Sequence, residues 1–305
     1  AKDMEEELRK TGLPLFSLET RHPLNQFDVV GFTLQYELSY TNILNMMNLA
    51  GIPLKREERG EADPLIIGGG PGSFNPEPLT AFFDLFLLGE GEDAILEILA
   101  SMAKAKENAL SKQEMKKELL KIEGVYVPEF YTVEYEQEGK IAALYPVPPA
   151  PPVVAKRILP DLTTAYLPEK DLVPWVEPVH DRAMVELFRG CTRGCRFCQA
   201  GMIYRPVRER APAVLKDYLE KIIAQTGYEE ASLTSLSSAD YSQINELLSA
   251  LTDCFSPQGV RLSLPSLRID SFSPELAARF QGGRKVGLTF APEAGTERLR
   301  RGVKK

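Results

Sequence analysis

The sequence predicts an α/β protein, because strand-like and helix-like segments alternate along most of its 305 residues. Apolar runs such as 27–34 and 64–67 have the length and the β-rich composition of buried strands. Segments with an apolar residue every three or four positions follow such runs, and 43–49 is an early example. Since parallel strands need a crossover between them, this alternation predicts parallel sheets covered by helices.

The first part of the chain, residues 1–120, is predicted to form a Rossmann-like open parallel sheet. Its first strand is expected to lie before the residues present, because the first clear strand follows a helix. Glycine-rich turns are expected at 68–72 and 89–92, directly after strands. The strands are expected at 27–34, 64–67 and 82–88, and the helices at 4–10, 43–49, 93–105 and 111–121.

A small antiparallel β linker region is predicted for residues 121–180. Short strands at 125–127, 131–136 and 141–145 have a Glu-Gly turn between the last two. The run 146–152 contains five prolines, which predicts an extended, semi-rigid connection.

From residue 181 to 305 the alternation returns and predicts a partial (β/α) barrel of about four strand–helix units. Helix signals include Pro212 at a first helical position, with an apolar stripe after it. The strands are expected at 184–188, 231–236, 260–264 and 285–290, and the helices from 212, from 244, at 274–280 and at 296–305.

Composition narrows the class of protein further. The net charge of −7 argues against a broad basic surface made for nucleic acid. There is no apolar run long enough for a membrane span, and the acidic start has no signal-peptide core. Only four cysteines occur, three of them clustered, which excludes a disulfide framework and predicts a reducing cytoplasm.

The clustered cysteines are Cys191, Cys195 and Cys198, with the spacing CxxxCxxC. Three thiolates at this spacing can hold three irons of a [4Fe–4S] cube and leave the fourth iron open to another ligand. Glycines at 190 and 194 allow the loop to bend tightly, and arginines at 189, 193 and 196 add charge that stabilises thiolates.

Two other interpretations of the cysteines remain open. Zinc needs a fourth ligand, for which His180 is the nearest candidate, and a zinc or iron–sulfur site can serve a sensor or scaffold without catalysis. Cys254 lies on the apolar stripe of a predicted helix and is an unlikely ligand by position. Redox-active or structural cysteines are the third interpretation.

The run 186–210, with Phe197 directly before the last cysteine of the motif, resembles the radical S-adenosylmethionine (SAM) superfamily. It is similar to the bacterial subgroup that carries a cobalamin-binding-like domain before the radical SAM barrel. Segments 33–42, 68–77 and 289–296 resemble one family within that subgroup. The resemblance extends over almost the whole chain.

This resemblance implies a mechanism and its cofactors. The open iron of the cluster would chelate SAM, and one electron from a donor such as flavodoxin or ferredoxin would split the sulfonium C–S bond. The resulting 5′-deoxyadenosyl radical would take a hydrogen atom from a substrate that the sequence does not identify. Cys191, Cys195 and Cys198 would be the cluster ligands, and Phe197 would lie against the adenine of SAM.

Further SAM contacts are implied by position only. Ser237, Ser238 and Asp240 follow the second strand of the barrel, where related enzymes bind the SAM amino group, although the usual Gly-Gly-Glu type of sequence is absent. Capping of the next helix by Asp240 or Ser242 explains these residues equally well. Glu293, after the fourth strand, is a candidate for the ribose or methionine end of SAM. Arg268 follows the third strand, and a structural salt bridge is expected for it ahead of a contact with the SAM carboxylate.

Cobalamin is left open as a second cofactor. The chain has no DxHxxG motif, and His22 precedes a proline in what is expected to be a turn. The turns 68–72 and 89–92 are candidates for a cobalamin contact, although their glycines equally serve strand-to-helix turns.

The alternative activity is radical methyl or methylthio transfer to RNA, for which the basic run 298–305 is a weak signal, since a solvated helix face explains it as well. The barrel has fewer strands than the six of related enzymes, so the chain is expected to be an internal piece that lacks substrate contacts. Its open barrel edge predicts pairing with a second copy.

Overall fold

The computed structural model describes residues 2–168, 170–176, 178–268 and 290–305. The chain separates into two compact units, Ala1–Leu159 and Pro160–Lys305. Each unit is built on a parallel sheet with helices, which confirms the predicted α/β class. Within the described residues, no helix is long and apolar enough to cross a membrane.

The first unit contains most of the predicted elements close to their expected positions. Helix α4 begins with a capping box, in which Ser111 and Glu114 satisfy each other's backbone N–H groups. The helices are α1 (Lys2–Thr11), α2 (Tyr40–Leu49), α3 (Ala94–Glu107) and α4 (Lys112–Leu119), and the strands are β1 (Val29–Thr33), β2 (Leu65–Gly69), β3 (Leu85–Leu87), β4 (Val125–Tyr126), β5 (Tyr131–Tyr135) and β6 (Ile141–Pro146).

The main sheet of this unit has the strand order β1-β2-β3-β4. Strands β1, β2 and β3 are parallel, and β4 pairs with β3 in the antiparallel direction. The sequence analysis assigns residues 125–127 to a separate linker region, whereas the structure adds β4 to the sheet. The burial of both of its residues explains this placement, because a two-residue strand gains its stability from the core on which it packs.

A buried ion pair fastens the amino-terminal edge of this sheet. Arg59 donates to the Asp84 carboxylate at 2.9 Å and to the backbone carbonyl of Phe82 at 2.8 Å. The same carboxylate accepts the backbone N–H of Ile66 in β2. Both side chains are more than nine-tenths buried, so the loop before β2 is held to the start of β3 by charged hydrogen bonds inside the protein.

The second unit carries the cysteine loop. Its predicted helix 274–280 and most of its predicted strand 285–290 lie outside the described residues, although Phe290 forms a parallel bridge with Leu267. The strands are β7 (Ala183–Glu186), β8 (Phe188–Arg189), β9 (Arg208–Glu209), β10 (Glu230–Thr234) and β11 (Arg261–Ser263), and the helices are α5 (Ala200–Ile203), α6 (Pro212–Thr226), α7 (Ile244–Phe255) and α8 (Glu297–Val303).

The described sheet of the second unit has the order β11-β10-β7, and its strands are parallel. Helices α6 and α7 lie between consecutive strands and bury the apolar stripes expected from the sequence. In such a sheet the loops that follow the strands gather at one edge, which is where binding sites form in parallel α/β proteins. The cysteine loop and the loop 235–240 both belong to this edge.

Candidate cluster and SAM site

The cysteine loop is closed at its base by a short antiparallel ribbon. Phe188 and Arg189 of β8 pair with Glu209 and Arg208 of β9, so residues 190–207 leave and return at the same place. Arg210 continues the pairing through its backbone N–H, which donates to the carbonyl of Leu187 at 2.9 Å. The loop that holds the cysteines is therefore fixed to the end of β7.

Gly190 makes the sharp exit from β8 possible. Its φ is +93°, and a Cβ there would lie 2.6 Å from the carbonyl oxygen of Pro206 and 2.8 Å from that of Tyr204. Only glycine avoids both the strained backbone and this collision. Gly194 also has a positive φ, but the space around it is open. Gly190 is thus required by both its backbone conformation and its close contacts, whereas Gly194 is required by its backbone conformation.

The three arginines of the loop are engaged with protein groups rather than grouped around the sulfurs. Arg189 forms a two-pronged ion pair with Glu186 at the end of β7. Arg196 donates to the carbonyl of Gly302 at 2.9 Å, at the end of α8. Arg193 pairs with Asp240 in the loop after β10, with its Nε 2.6 Å from Oδ2. All three arginines anchor the loop, and Arg193 also lines the cavity that contains the cysteines.

All three cysteines of the motif line one cavity of about 580 Å³. Each is half-buried and reduced. Phe197 lines the same cavity with 55% of its surface exposed, and Ser237 and Arg268 contribute polar groups to the wall. The structure thus brings together cysteines, an exposed aromatic ring and cationic groups, which is the chemistry that an anionic cluster and a nucleoside need.

Arg268 reaches a cysteine sulfur with its guanidinium. It follows β11 and is only 8% exposed, and its Nη1 lies 3.2 Å from Cys195 Sγ. Cys191 Sγ faces the backbone N–H of Arg193 at 3.5 Å. The sequence predicts a structural salt bridge for Arg268, and no local pattern indicates the contact with Cys195, because the two residues are 73 positions apart.

The loop after β10 is tied to the cysteine loop through Asp240. Its carboxylate accepts hydrogen bonds from Arg193 and from Ser237 Oγ, the latter at 2.7 Å. Burial raises the pKa of Asp240, but the hydrogen bonds from Arg193 and Ser237 outweigh burial and hold the pKa below its usual range. Asp240 is therefore an ionised partner of the cysteine loop.

The other candidates of this loop have separate places. Ser237 is buried and lines the cavity, whereas Ser238 is buried away from the cavity wall and donates to the carbonyl of Leu233 at 3.2 Å. The expected helix cap is absent at both proposed residues, because the residue before α7 is Gln243 and no side chain caps the helix there. Ser242 bonds to Glu209 instead.

Glu293 lies near the cavity without lining it. Its φ is +64°, and its carboxylate accepts a hydrogen bond from Lys305 Nζ at 3.0 Å. Lys305 does line the cavity. The pair joins the segment before α8 to Lys305, two residues past the end of that helix, so Glu293 orients a cavity lysine in this structure.

The candidate fourth ligand for zinc lies elsewhere in the unit. His180 is exposed, lies outside the cavity wall, and has its Nδ1 3.4 Å from Arg182 Nη2. In the part of the chain that the structure describes, no three His, Cys, Asp or Glu side chains are arranged around a single ion position. A [4Fe–4S] cube does not require such an arrangement, because each of its thiolates binds a different iron.

The glycine turns of the first unit are filled by the chain itself. A Cβ on Gly72 would lie 2.8 Å from Tyr40 Oη and 2.9 Å from Leu34 Cβ. A Cβ on Gly89 would lie 2.1 Å from the carbonyl oxygen of Arg157, whose backbone pairs with this turn. Gly72 and Gly89 therefore serve close packing within the unit, whereas a Cβ on Gly69 would meet nothing within 4 Å.

Two family models match the chain. Residues 1–128 match the model for radical SAM proteins, N-terminal, and residues 185–305 match the model for the radical SAM superfamily. The second match begins in β7 and contains the whole cysteine loop. The chain belongs to the radical SAM superfamily. The resemblance inferred from the cysteine motif is confirmed.

Among known proteins, the chain is 29% identical over 301 residues to Uncharacterized protein MJ0966 of Methanocaldococcus jannaschii. The aligned region covers 97% of this chain and 56% of that protein. The fold is similar to the radical SAM methyltransferase TsrM of Kitasatospora setae with tryptophan substrate and a SAM analogue bound (TM-score 0.55, 17% identity, 99% of this chain and 53% of TsrM). It is also similar to a second structure of TsrM, with cobalamin and a [4Fe–4S] cluster bound (TM-score 0.50, 16% identity). That match covers 92% of this chain and 50% of TsrM. The chain spans about half the length of each.

Proposed function

We propose that this protein is a radical SAM enzyme whose Cys191, Cys195 and Cys198 hold a [4Fe–4S] cluster. The observation that carries the proposal is the position of the three sulfurs in the wall of one cavity, together with Phe197. Family membership supports the same cofactors. When bound and reduced, the cluster supplies the electron that splits the sulfonium of SAM.

The residues around the cavity fit a cluster of thiolates. Arg268 and the backbone N–H of Arg193 both point toward cysteine sulfurs, and such hydrogen bonds stabilise anionic sulfur. Gly190 and the β8–β9 ribbon fix the ends of the loop, so the sulfurs are presented by a closed structure rather than by a free segment.

The same wall offers groups for SAM. Phe197 presents an exposed ring, which suits stacking against an adenine. Ser237 supplies a hydroxyl group held in place by Asp240, and Lys305 supplies a charge for a carboxylate. These residues bind and orient the nucleoside and the methionine end, while the apolar wall limits the access of water.

Other parts of the proposal depend on the chemistry of the superfamily. A low-potential carrier protein such as flavodoxin or ferredoxin would deliver the electron, and a reducing cytoplasm would preserve the cluster. Cobalamin remains a candidate second cofactor, and no step of the reaction is assigned to it.

The experiment is the anaerobic reconstitution of the protein with iron and sulfide, followed by reduction, addition of SAM and measurement of 5′-deoxyadenosine. The protein is expected to release 5′-deoxyadenosine, and Cys195→Ala is expected to lose both the cluster and this product. Cys254→Ala is the matched control, because Cys254 bonds to Glu220 outside the cavity, and it should retain both. An intact cluster that yields no 5′-deoxyadenosine would contradict the proposal.

A further inference from the structure

Arg268 is one of several cations in the cavity wall, and its guanidinium contacts a cysteine of the cluster motif. Its guanidinium is held in a side chain that is only 8% exposed, and Nη1 donates toward Cys195 Sγ at 3.2 Å. This distance is short for a donor to sulfur, so the contact is a charge-assisted hydrogen bond and not only a long-range electrostatic interaction. A buried charged donor that bonds to a ligand sulfur changes the electronic properties of the metal that the sulfur binds, including its reduction potential.

From this contact we propose that Arg268 sets the reduction potential of the cluster by donating a hydrogen bond to Cys195. The inference rests on the proposed cluster-dependent function. Reduction adds one electron, and therefore one negative charge, to the iron–sulfide–thiolate unit. Hydrogen bonds to the sulfurs and nearby positive charge stabilise that added charge and raise the potential. Arg268 supplies both from one buried position.

Arg268 acts on more than one group beside the cysteine loop. Asp240 pairs with Arg193, and the charge of Arg268 is one of the influences that lower the pKa of Asp240. The contact with Cys195 brings the same guanidinium within hydrogen-bond distance of a sulfur. The charge of Arg268 therefore acts both on a carboxylate that anchors the cysteine loop and on a cysteine of the cluster motif.

The size of the effect follows from the energy of a charged hydrogen bond. Such a bond stabilises the reduced cluster more than the oxidised cluster, because the reduced state is more negative. A tenfold change in the equilibrium constant for one-electron reduction corresponds to about 59 mV. We therefore expect the loss of the guanidinium to make reduction about tenfold less favourable.

The test is an anaerobic redox titration of the reconstituted protein with dithionite, followed by electron paramagnetic resonance of the reduced cluster. Arg268→Gln removes the charge and is expected to lower the midpoint potential by about 59 mV, the tenfold change. Arg268→Lys keeps the charge but loses the planar fork, and its potential should lie between those of Arg268→Gln and the parent. Iron and sulfide contents confirm that each sample holds the same cluster.

Arg182→Gln is the matched control. Arg182 lines the same cavity, but its guanidinium pairs with Glu230 at 2.9 Å, and the potential should stay close to that of the parent. If Arg268→Gln does not assemble a cluster, Arg268→Lys decides the question. A parent-like potential in whichever variant holds the cluster overturns the inference.

The outcomes separate this inference from the proposed function. A parent protein that binds no cluster contradicts the proposed function itself. A parent that holds a cluster and releases 5′-deoxyadenosine, together with Arg268 variants of unchanged potential, leaves the function standing and contradicts only the tuning role.

Discussion

At the scale of single residues, the candidate site combines a short cysteine motif with contacts that join distant parts of the chain. The spacing of Cys191, Cys195 and Cys198 predicts a shared site, and the structure places all three in one cavity wall. The contacts that the sequence does not predict are those between distant residues. Arg193 meets Asp240 from 47 positions away and Arg268 meets Cys195 from 73, and no local pattern encodes such pairs.

Gly190 provides a sharp test of the loop geometry. Substitution to alanine forces a side chain into a positive φ, which costs about 1–2 kcal/mol, and also drives Cβ against two backbone carbonyls. We expect Gly190→Ala to lower the free energy of unfolding by more than that amount and to reduce the iron content after reconstitution. Thermal unfolding and iron analysis measure the two effects.

Gly194→Ala is the control for this prediction. It carries the same backbone cost, but Cβ would meet only the end of the Arg205 side chain, 3.7 Å away. If both variants lost stability and iron equally, the collision at Gly190 would be irrelevant and the account of the loop exit would fail.

Asp240 predicts a particular dependence of stability on pH. The pKa of Asp240 in the folded protein is held below its unfolded value of about 3.9. The ionised carboxylate therefore contributes fully to the free energy of unfolding above that value, and this contribution is lost as the pH falls through the folded pKa. Asp240→Asn should cost about 1–3 kcal/mol at pH 7, because Arg193 loses a charged partner. Urea unfolding of parent and variant from pH 7 to pH 3 measures the difference, which should shrink below about pH 4. A difference independent of pH would contradict the assignment.

At the scale of elements, periodicity predicts most helices and strands, because burial on one face imposes a regular apolar spacing. Helices α6 and α7 and strand β2 occur close to where their patterns place them. Strand β4 was assigned to the linker region, since two residues carry too little pattern to show which sheet they join. The alternative that Asp240 or Ser242 caps α7 was wrong, because the Asp240 side chain bonds to Arg193 of the cysteine loop and the Ser242 side chain bonds to Glu209 of β9.

The edge of the first sheet gives a prediction about stability. Asp84→Ala leaves the buried guanidinium of Arg59 without its carboxylate, which costs about 3–5 kcal/mol. The exposed pair of Asp28 and Lys106 is the control, and Asp28→Ala should cost less than about 1 kcal/mol. Urea unfolding followed by circular dichroism compares the two variants. Similar losses in both would show that burial does not strengthen the Arg59–Asp84 pair.

At the scale of the whole chain, each unit has its own apolar core, and the chemistry is concentrated in the second. The α/β class and the radical SAM family follow from the sequence, since alternating elements and a specific cysteine motif are both local signals. The substrate does not follow from the sequence, because a cysteine motif is a signal for a cofactor and carries no information on a third molecule. Pairing of the open barrel edge with a second copy stays a prediction.

The central claim is that three cysteines hold a cluster with one iron open to SAM. The most direct measurement is electron paramagnetic resonance of the reconstituted, reduced protein before and after addition of SAM. We expect the g-values of the reduced [4Fe–4S] signal to shift, because the amino and carboxylate groups of SAM become ligands of the open iron. A spectrum unchanged at saturating SAM, from a protein with full iron and sulfide content, would contradict the claim.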